Sequence, residues 1–425
     1  MRDGVPDRGG RRLLDLTALR RPLVALAAVA LLAAGCGGDD HPTTAASTSA
    51  PTPTSPTTAG PATGDPSTTG GPSSTTGDGP GTTAAPEGCA PLEAIHRWPL
   101  RRRLATLVVV GVDPADPAEA TAAVQDDHVG GLFVGGDATG LLTSGALAEL
   151  RAGSPTGLLV AVDEEGGRVQ RIEALDGEVP SARDMAATMT PAEVRALAER
   201  RGRVMAGLGV TVDLAPVVDV SDQPDRTVIG DRSWSEDPEV VATYAGAYAE
   251  GLLAAGVTPV LKHFPGHGAA SGDTHEGAAS TPPLDALRDR DLVPYRRLLP
   301  TLGTRAAVML GHLDVPGLTE PETPTSLSPA TVRLLRVEMG FDGVVMTDDL
   351  AAMDSITDRF GPAEAVVRAL AAGVDVVLLS DADRPGLLDR LEAAVADGTL
   401  TEAAIDASVG RTLALQGIDP CGVDL

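Results

Sequence analysis

Eight short apolar runs, interleaved with helix-forming segments, constrain this chain more than any other feature. They are Thr106–Gly111, Gly131–Gly135, Leu158–Asp163, Val210–Ala215, Pro259–His263, Ala306–His312, Gly343–Asp348 and Asp375–Ser380. Most are rich in Val and Leu without polar alternation, the pattern of strands buried on both faces. Helix starts lie between them. Thr190-Pro191-Ala192-Glu193 reads as a capping box with Pro at the first helical position. Asp237-Pro238 and Ser328-Pro329 repeat the cap-then-Pro logic. Strands alternating with helices imply a parallel sheet of the α/β class. Eight repeats favour a closed (β/α)₈ TIM barrel over an open doubly wound sheet.

Such barrels place their chemistry at the C-terminal ends of the strands. Here the third run ends in Asp163, the fifth in Lys262-His263, the sixth in His312 and the seventh in Thr347-Asp348-Asp349. Ionisable residues gather where a barrel needs them, although a doubly wound sheet would crowd the same ends.

The remainder of the chain is of a different kind. Arg11, Arg12, Arg20 and Arg21 precede an apolar stretch, Leu23–Ala34, of 12 residues. That is too short to span a bilayer. It ends in Leu32-Ala33-Ala34-Gly35-Cys36, which resembles a bacterial lipobox with Cys36 as the lipidated residue. Residues 37–86 are dominated by Thr, Ser, Pro, Gly and Ala, too poor in apolar surface to offset chain entropy. The expected plan is a lipoprotein signal peptide over 1–35, a lipid-anchored disordered linker over 36–88, and one catalytic domain over 89–425. This places the protein outside the cell, anchored by lipid alone to the outer face of the cytoplasmic membrane. Cys89 and Cys421 flank the domain, and two leftover cysteines in an exported chain suggest a disulfide. A barrel sets its first and last elements side by side, which suits that pairing.

The formal net charge is −26 and no basic patch marks the folded region, so nucleic acid is excluded as a partner. Lys262 is the only lysine. It opens the densest stretch, Lys262-His263-Phe264-Pro265-Gly266-His267-Gly268, which continues to Asp273-Thr274-His275. Gly and Pro make this a long shaped loop. Four histidines, counting His312, with Asp nearby raise the question of zinc. No His-x-x-x-His pair is offered on a helix, however, and Lys262 would set a cation among the ligands. No metal and no cofactor are expected.

Asp273 and His275 lie two apart, so their side chains share one side of an extended segment. A carboxylate beside an imidazole fixes its tautomer and favours its protonated form, which suits a proton shuttle. A carboxylate at a strand end opposite such a donor suits a retaining glycosidase, with one group attacking the anomeric carbon and the other protonating the leaving oxygen. In Asp348-Asp349, one carboxylate is expected to cap the following turn. Asp163-Glu164-Glu165-Gly166-Gly167-Arg168-Val169-Gln170-Arg171 offers carboxylates and guanidiniums for sugar hydroxyls. Ile229-Gly230-Asp231-Arg232-Ser233 adds an arginine in a turn, alternatively a structural Arg–Asp pair.

Taken together, VDEEGGRVQR, IGDRSW, KHFPGHG followed by DTH, and VVMTDDL resemble glycoside hydrolase family 3, in its single-barrel β-N-acetylglucosaminidase branch of the NagZ type. The motifs span residues 105 to 380 in the family's order. The resemblance implies Asp348 as nucleophile, His275 as acid/base and Asp273 as its partner. It implies that Asp163, Arg171, Arg232, Lys262 and His263 hold the sugar, with His267 and His312 near the site. It also implies a reaction without metal, a carbohydrate substrate, and release of β-linked N-acetylglucosamine from peptidoglycan-derived fragments by a monomer. Two departures stand out. Gly135-Gly136-Asp137 replaces the Arg or Asn that many members carry, and Leu350-Ala351-Ala352-Met353 is one residue longer than usual. The second is expected to alter subsite shape rather than chemistry. The competing readings are a β-glucosidase, a phosphorylase using phosphate in place of water, and a non-catalytic sugar-binding lipoprotein.

Overall fold

The computed structural model describes residues 89–380 and 382–425. The signal segment, Cys36 and the linker expected over 1–88 lie outside the described residues. Within them, eight parallel strands close a barrel: β1 (Val108–Val112), β2 (Gly131–Val134), β3 (Leu159–Val162), β4 (Val212–Asp213), β5 (Thr258–Phe264), β6 (Ala307–Leu310), β7 (Val345–Asp349) and β8 (Val376–Leu379). Each pairs with its neighbours in sequence, and β1 closes on β8 through Val108–Val377 and Val110–Leu379. Each of the eight apolar runs overlaps one of these strands, to within a residue at either end where it does not contain it.

The strands sort their side chains by pleat. Val109, Leu159, Ala161, Val212, Val260, Ala307, Met309, Met346, Val376 and Leu378 form a cluster of their own inside the barrel. Their neighbours Val110, Val160, Leu261, Val308, Val345 and Val377 belong to the larger core shared with the helices. Both faces are therefore apolar, which explains why the sequence shows runs instead of alternation.

Helix α1 (Pro191–Gly207) begins with the full capping box: Thr190 accepts from Glu193 N, and Glu193 accepts from Thr190 N at 2.7 Å. Helix α2 (Pro238–Ala254) is capped by Asp237, which accepts from Glu239 N at 2.9 Å. Such caps are worth about 1 kcal/mol each. Ser328 stands before Pro329 as anticipated, but its side chain makes no cap bond. The ends of the domain are joined: Cys89 and Cys421 form a disulfide with Cα atoms 6.1 Å apart.

One buried ion pair orders the segment after β3. Arg201 on α1 donates through Nε and Nη2 to Glu164 Oε1 at 3.0 and 2.8 Å, and through Nη1 to Asp176 at 2.9 Å. Glu164 Oε2 accepts the N–H groups of Arg171 and Ile172. The Arg201 and Glu164 side chains are each 1% exposed, so removing one leaves the other charged and dry. Arg201→Met is expected to lower unfolding stability in urea by about 3–5 kcal/mol, with much of that loss recovered in Arg201→Met/Glu164→Gln.

Candidate active site

A cleft of about 220 Å³ opens at the C-terminal rim of the barrel. It is lined by Asp163, Glu165, Arg171, Arg232, Lys262, His263, His267, Thr274, His275, Asp348 and Met353, together with Val169, Val228 and Ile229. A larger cleft of about 830 Å³ lies among Pro99, Arg102, Val124, His128 and Pro155, in segments that lead into β1, β2 and β3. Those are N-terminal strand ends, the stability face of such barrels.

The floor of the rim cleft is an alternating charge network. Lys262, on β5 and 4% exposed at its side chain, donates to Asp163 Oδ1 at 2.7 Å and meets Glu165 Oε1 at 2.6 Å. Arg232 grips the same Glu165 with two bonds, Nε at 2.7 Å and Nη2 at 2.8 Å. Burial alone would raise the Glu165 carboxyl, but Arg232 and Lys262 hold it far below the usual carboxylate range. Burial likewise opposes the charge on Lys262, and Asp163 and Glu165 more than offset it. The ammonium therefore stays protonated. Arg171 sits farther out, 3.9 Å from Asp163 Oδ2.

The run Asp163-Glu164-Glu165 divides by pleat. Asp163 and Glu165 turn to the cleft, while Glu164 turns away to Arg201. Arg232 is paired with Glu165 rather than with its chain neighbour Asp231. The Arg–Asp pair near this turn is Arg168–Asp231 at 3.0 Å, and Arg168 also donates to the carbonyls of Thr227, Val228 and Ile229.

Asp219 clamps the segment that follows Lys262. Its Oδ2 lies 2.6 Å from His263 Nδ1, and its Oδ1 accepts the N–H of His263 at 3.3 Å and of His267 at 2.7 Å. This points the other edge of His263 toward Arg232, with Nε2 3.4 Å from Nη2. The glycines of the motif allow the close packing. A Cβ on Gly268 would stand 2.0 Å from the Val220 carbonyl oxygen, and Gly266, at φ +138°, would drive a side chain into Asp291.

The two aspartates at the end of β7 have different fates. Asp348 faces the cleft, partly exposed, with one oxygen accepting Asp349 N at 2.9 Å. Burial pushes its carboxyl up, but His263, His312, the Lys262 ammonium and the Asp349 N–H together hold it below the ordinary value. Asp349 turns inward and accepts the N–H groups of Ala351, Ala352 and Ser380. It caps the next turn and ties β7 to β8. His312 does not line the cleft. It is buried behind the pair, bonded to Ser326 Oγ at 2.8 Å and to the Asp349 carbonyl at 2.9 Å, and burial keeps it neutral.

Across the cleft, the loop after β5 carries Asp273 and His275. Asp273 Oδ1 accepts the His275 N–H at 2.9 Å and lies 2.8 Å from its ring Nδ1. The pair thus forms by a tight turn in which the Asp273 carboxylate accepts the N–H two residues on, not along an extended segment. Burial, the largest single effect, pushes the Asp273 carboxyl up, but its bonds to His275 together hold it below the usual carboxylate range. Thr274 between them is buried, and its carbonyl accepts Ser355 N from the helix Asp354–Thr357, just beyond β7. The longer segment after Asp349 delivers Met353 to the cleft wall.

Sequence reasoning missed Glu165, Asp219 and the Glu164–Arg201 pair. The first was legible in principle, two residues after Asp163 on a strand extension. Asp219 stands in the apolar stretch Val217–Val220, a signal that a carboxylate there needs buried partners. Among the described residues, no group of three or more His, Cys, Asp and Glu is arranged to hold a metal ion, and no helix is long and apolar enough to cross a membrane.

Comparison with known proteins bears on this arrangement. Residues 99–415 match the glycosyl hydrolase family 3 N terminal domain. The chain is 52% identical over 367 residues to Beta-hexosaminidase LpqI of Mycobacterium tuberculosis, covering 83% of this chain and 93% of that protein. It is 38% identical over 298 residues to a Beta-hexosaminidase of Stenotrophomonas maltophilia, covering 68% and 86%. The solved structure of M. tuberculosis LpqI superposes with a TM-score of 0.74 at 52% identity, over 78% of this chain and 97% of that one. A family 3 beta-N-acetylglucosaminidase from Paenibacillus superposes at 0.69 with 33% identity, over 77% and 64%.

Lys262 holds two carboxylates that otherwise share only Arg232 and Arg171. Lys262→Met is expected to lower stability near neutral pH by about 3–5 kcal/mol. Glu165 is depressed in the folded state, so its contribution is present above the unfolded carboxylate pKa of about 4.3 and fades as pH falls below it. The deficit should therefore narrow in urea titrations run at progressively lower pH.

Proposed function

The chain belongs to glycoside hydrolase family 3, and on that premise we propose that the rim cleft removes β-linked N-acetylglucosamine by double displacement, with Asp348 as nucleophile and His275 as acid/base. The observation that carries this reading is that Asp348 and His275 line one cleft while Asp273 is bonded to the His275 ring. The protein is a glycosidase of the β-N-acetylhexosaminidase type.

In the first step His275 protonates the glycosidic oxygen while the Asp348 carboxylate attacks the anomeric carbon, giving a covalent glycosyl-enzyme. In the second, His275 takes a proton from water, which displaces Asp348 and releases the sugar with β configuration retained. Asp348 suits its task because its neighbours, the Lys262 ammonium and the Asp349 N–H among them, help to keep it ionised. Asp273 holds the imidazole by Nδ1, leaving Nε2 for the proton in flight. Asp163, Arg171, Arg232, Lys262 and His263 provide donors and acceptors for the sugar hydroxyls, and these bonds tighten in the transition state. Lys262 has three N–H donors, of which its two carboxylates leave one free. Glu165 acts at one remove, fixing Lys262 and Arg232.

The assignment extends to the cell. Residues 1–35 serve as a lipoprotein signal peptide, Cys36 carries the lipid, and residues 36–88 tether a monomeric barrel domain, 89–425, outside the cytoplasmic membrane. Muropeptides and related GlcNAc-containing fragments are the substrates such an enzyme meets there, in cell-wall turnover. The basic, apolar and small-residue order before Cys36 supports this reading.

Asp348→Ala is expected to lower kcat/KM on an aryl β-N-acetylglucosaminide by at least about 10³-fold. Full turnover by this variant, or an α-configured first product by NMR, overturns the mechanism. Release rates should not depend on added phosphate; a rise with phosphate would make the enzyme a phosphorylase. Since Asp348 is held low, the acid limb of kcat/KM should fall below the ordinary carboxylate value of about 4. For the anchor, Cys36→Ser should shift the protein from the membrane pellet to the soluble fraction, and an unchanged distribution refutes lipidation at that residue.

A further inference from the structure

His275 stands on a long loop that the rest of the protein scarcely touches. From Ala269 to Ala278, the loop's bonds stay within it or close its neck. Ala270 N donates to the His267 carbonyl, Glu276 N to the Asp273 carbonyl, and Ser271 pairs with Ser280, besides the Asp273–His275 pair itself. Among the described residues, one bond leaves the loop: Ser355 N donates to the Thr274 carbonyl at 3.1 Å. Burial follows the same division. Thr274 is 2% exposed, while the Asp273 and His275 side chains on either side of it are 31% and 57% exposed. The exposed pair is carried by a buried residue between them, and that residue is held from one place.

That place is the segment following Asp348, the stretch whose Leu350-Ala351-Ala352-Met353 is one residue longer than usual. It is firmly fastened. Leu350 N donates to the Leu378 carbonyl at 2.9 Å, and Asp349 Oδ1 accepts from Ala351 and Ala352. The Met353 carbonyl accepts from Ile356 N at 2.9 Å, and the Ile356 side chain is wholly buried in the core. Ser355 is the second residue of the helix Asp354–Thr357. N–H groups in a first helical turn have no partner inside the helix, so that of Ser355 can serve the loop. The Ser355 hydroxyl is buried without a partner, so the link is made by the backbone alone.

We propose that Ser355 is a positioning residue for the proton donor: its backbone N–H fixes the turn Asp273-Thr274-His275 beside the cleft, so that the segment following the nucleophile also sets where the acid stands. This rests on the reading of His275 as acid/base. The turn is a single unit, because the Asp273 carboxylate takes both the N–H and the ring of His275. Holding its middle carbonyl therefore holds the imidazole. No proton passes through Ser355. A displaced acid costs most where the leaving group most needs a proton.

The test is a leaving-group series of aryl β-N-acetylglucosaminides, from a dinitrophenyl to an unsubstituted phenyl glycoside, assayed with the full-length protein. Ser355→Pro removes the N–H in a first helical turn, where proline is tolerated. It should lower kcat/KM about tenfold on the phenyl substrate and less than about twofold on the dinitrophenyl one. Ser355→Ala keeps the N–H and should keep the wild-type leaving-group dependence. In a His275→Ala background, Ser355→Pro should have no further effect. If the proline variant does not fold, an ester in place of the Ser355 amide removes the same N–H and repeats the test. Equal losses on every substrate, losses that multiply with His275→Ala, or an alanine variant that behaves as the proline one does, overturn the proposal. His275→Ala also separates the two readings. If it shows no leaving-group dependence, the acid assignment has failed and the proposal with it; if it does and Ser355→Pro does not, only the role of Ser355 has failed.

Discussion

The ammonium of Lys262 is the charge around which the cleft is organised. It sits on a barrel strand with its side chain almost wholly removed from water, a position no cation tolerates without close anionic partners. Asp163 and Glu165 provide them from the end of β3, at 2.7 and 2.6 Å. Two carboxylates against one ammonium leave excess negative charge, and the bidentate grip of Arg232 on Glu165 offsets it. One buried cation thus fixes the relative positions of β3, β5 and the turn that carries Arg232. It also lends its field to Asp348, which helps to keep that carboxylate ionised.

Around this network the molecule separates charges that hold the site from charges that work in it. Glu164 and Arg201 neutralise each other on the helix side and shape the β3 loop. Asp219 takes three donors and aims His263. His312 and Asp349 stiffen the end of β7. Asp213 sits at the end of β4, where burial raises its carboxyl well above the usual value and its Oδ1 accepts the N–H of Glu164. None of these groups is left to reach a sugar. The groups that remain open are Asp348, His275 and the free donors and acceptors of Asp163, Arg171, Lys262 and His263, a set suited to holding and splitting a glycoside.

His275, the proposed proton donor, is the least enclosed part of the site. Asp348 comes from a barrel strand, while His275 comes from a loop tied down through Thr274 to the helix beyond β7. That link makes Asp348 and His275 neighbours on one cleft even though they are 73 positions apart in sequence. A donor on a loop can approach the leaving oxygen as the substrate arrives, whereas the nucleophile needs a fixed address.

The eight strands, their order and the rim position of the ionisable residues were legible in the sequence by itself. Strands buried on both faces must be written as apolar runs, and a polar residue ending such a run has little else to do but face the rim. Asp273 and His275 were legible for the same local reason, since a two-residue spacing is short enough to decide contact. What only the tertiary structure decided was the partner of each charge. Sequence neighbours suggested Arg232 with Asp231, but the fold gave Arg232 to Glu165 and Asp231 to Arg168. It assigned Asp348 to the cleft and Asp349 to the turn because successive residues of a strand face opposite ways. It also moved His312 from candidate to support. Buried ion pairs form between groups brought together by strand order and helix packing, over separations such as the 99 residues from Asp163 to Lys262, and no local pattern encodes that distance.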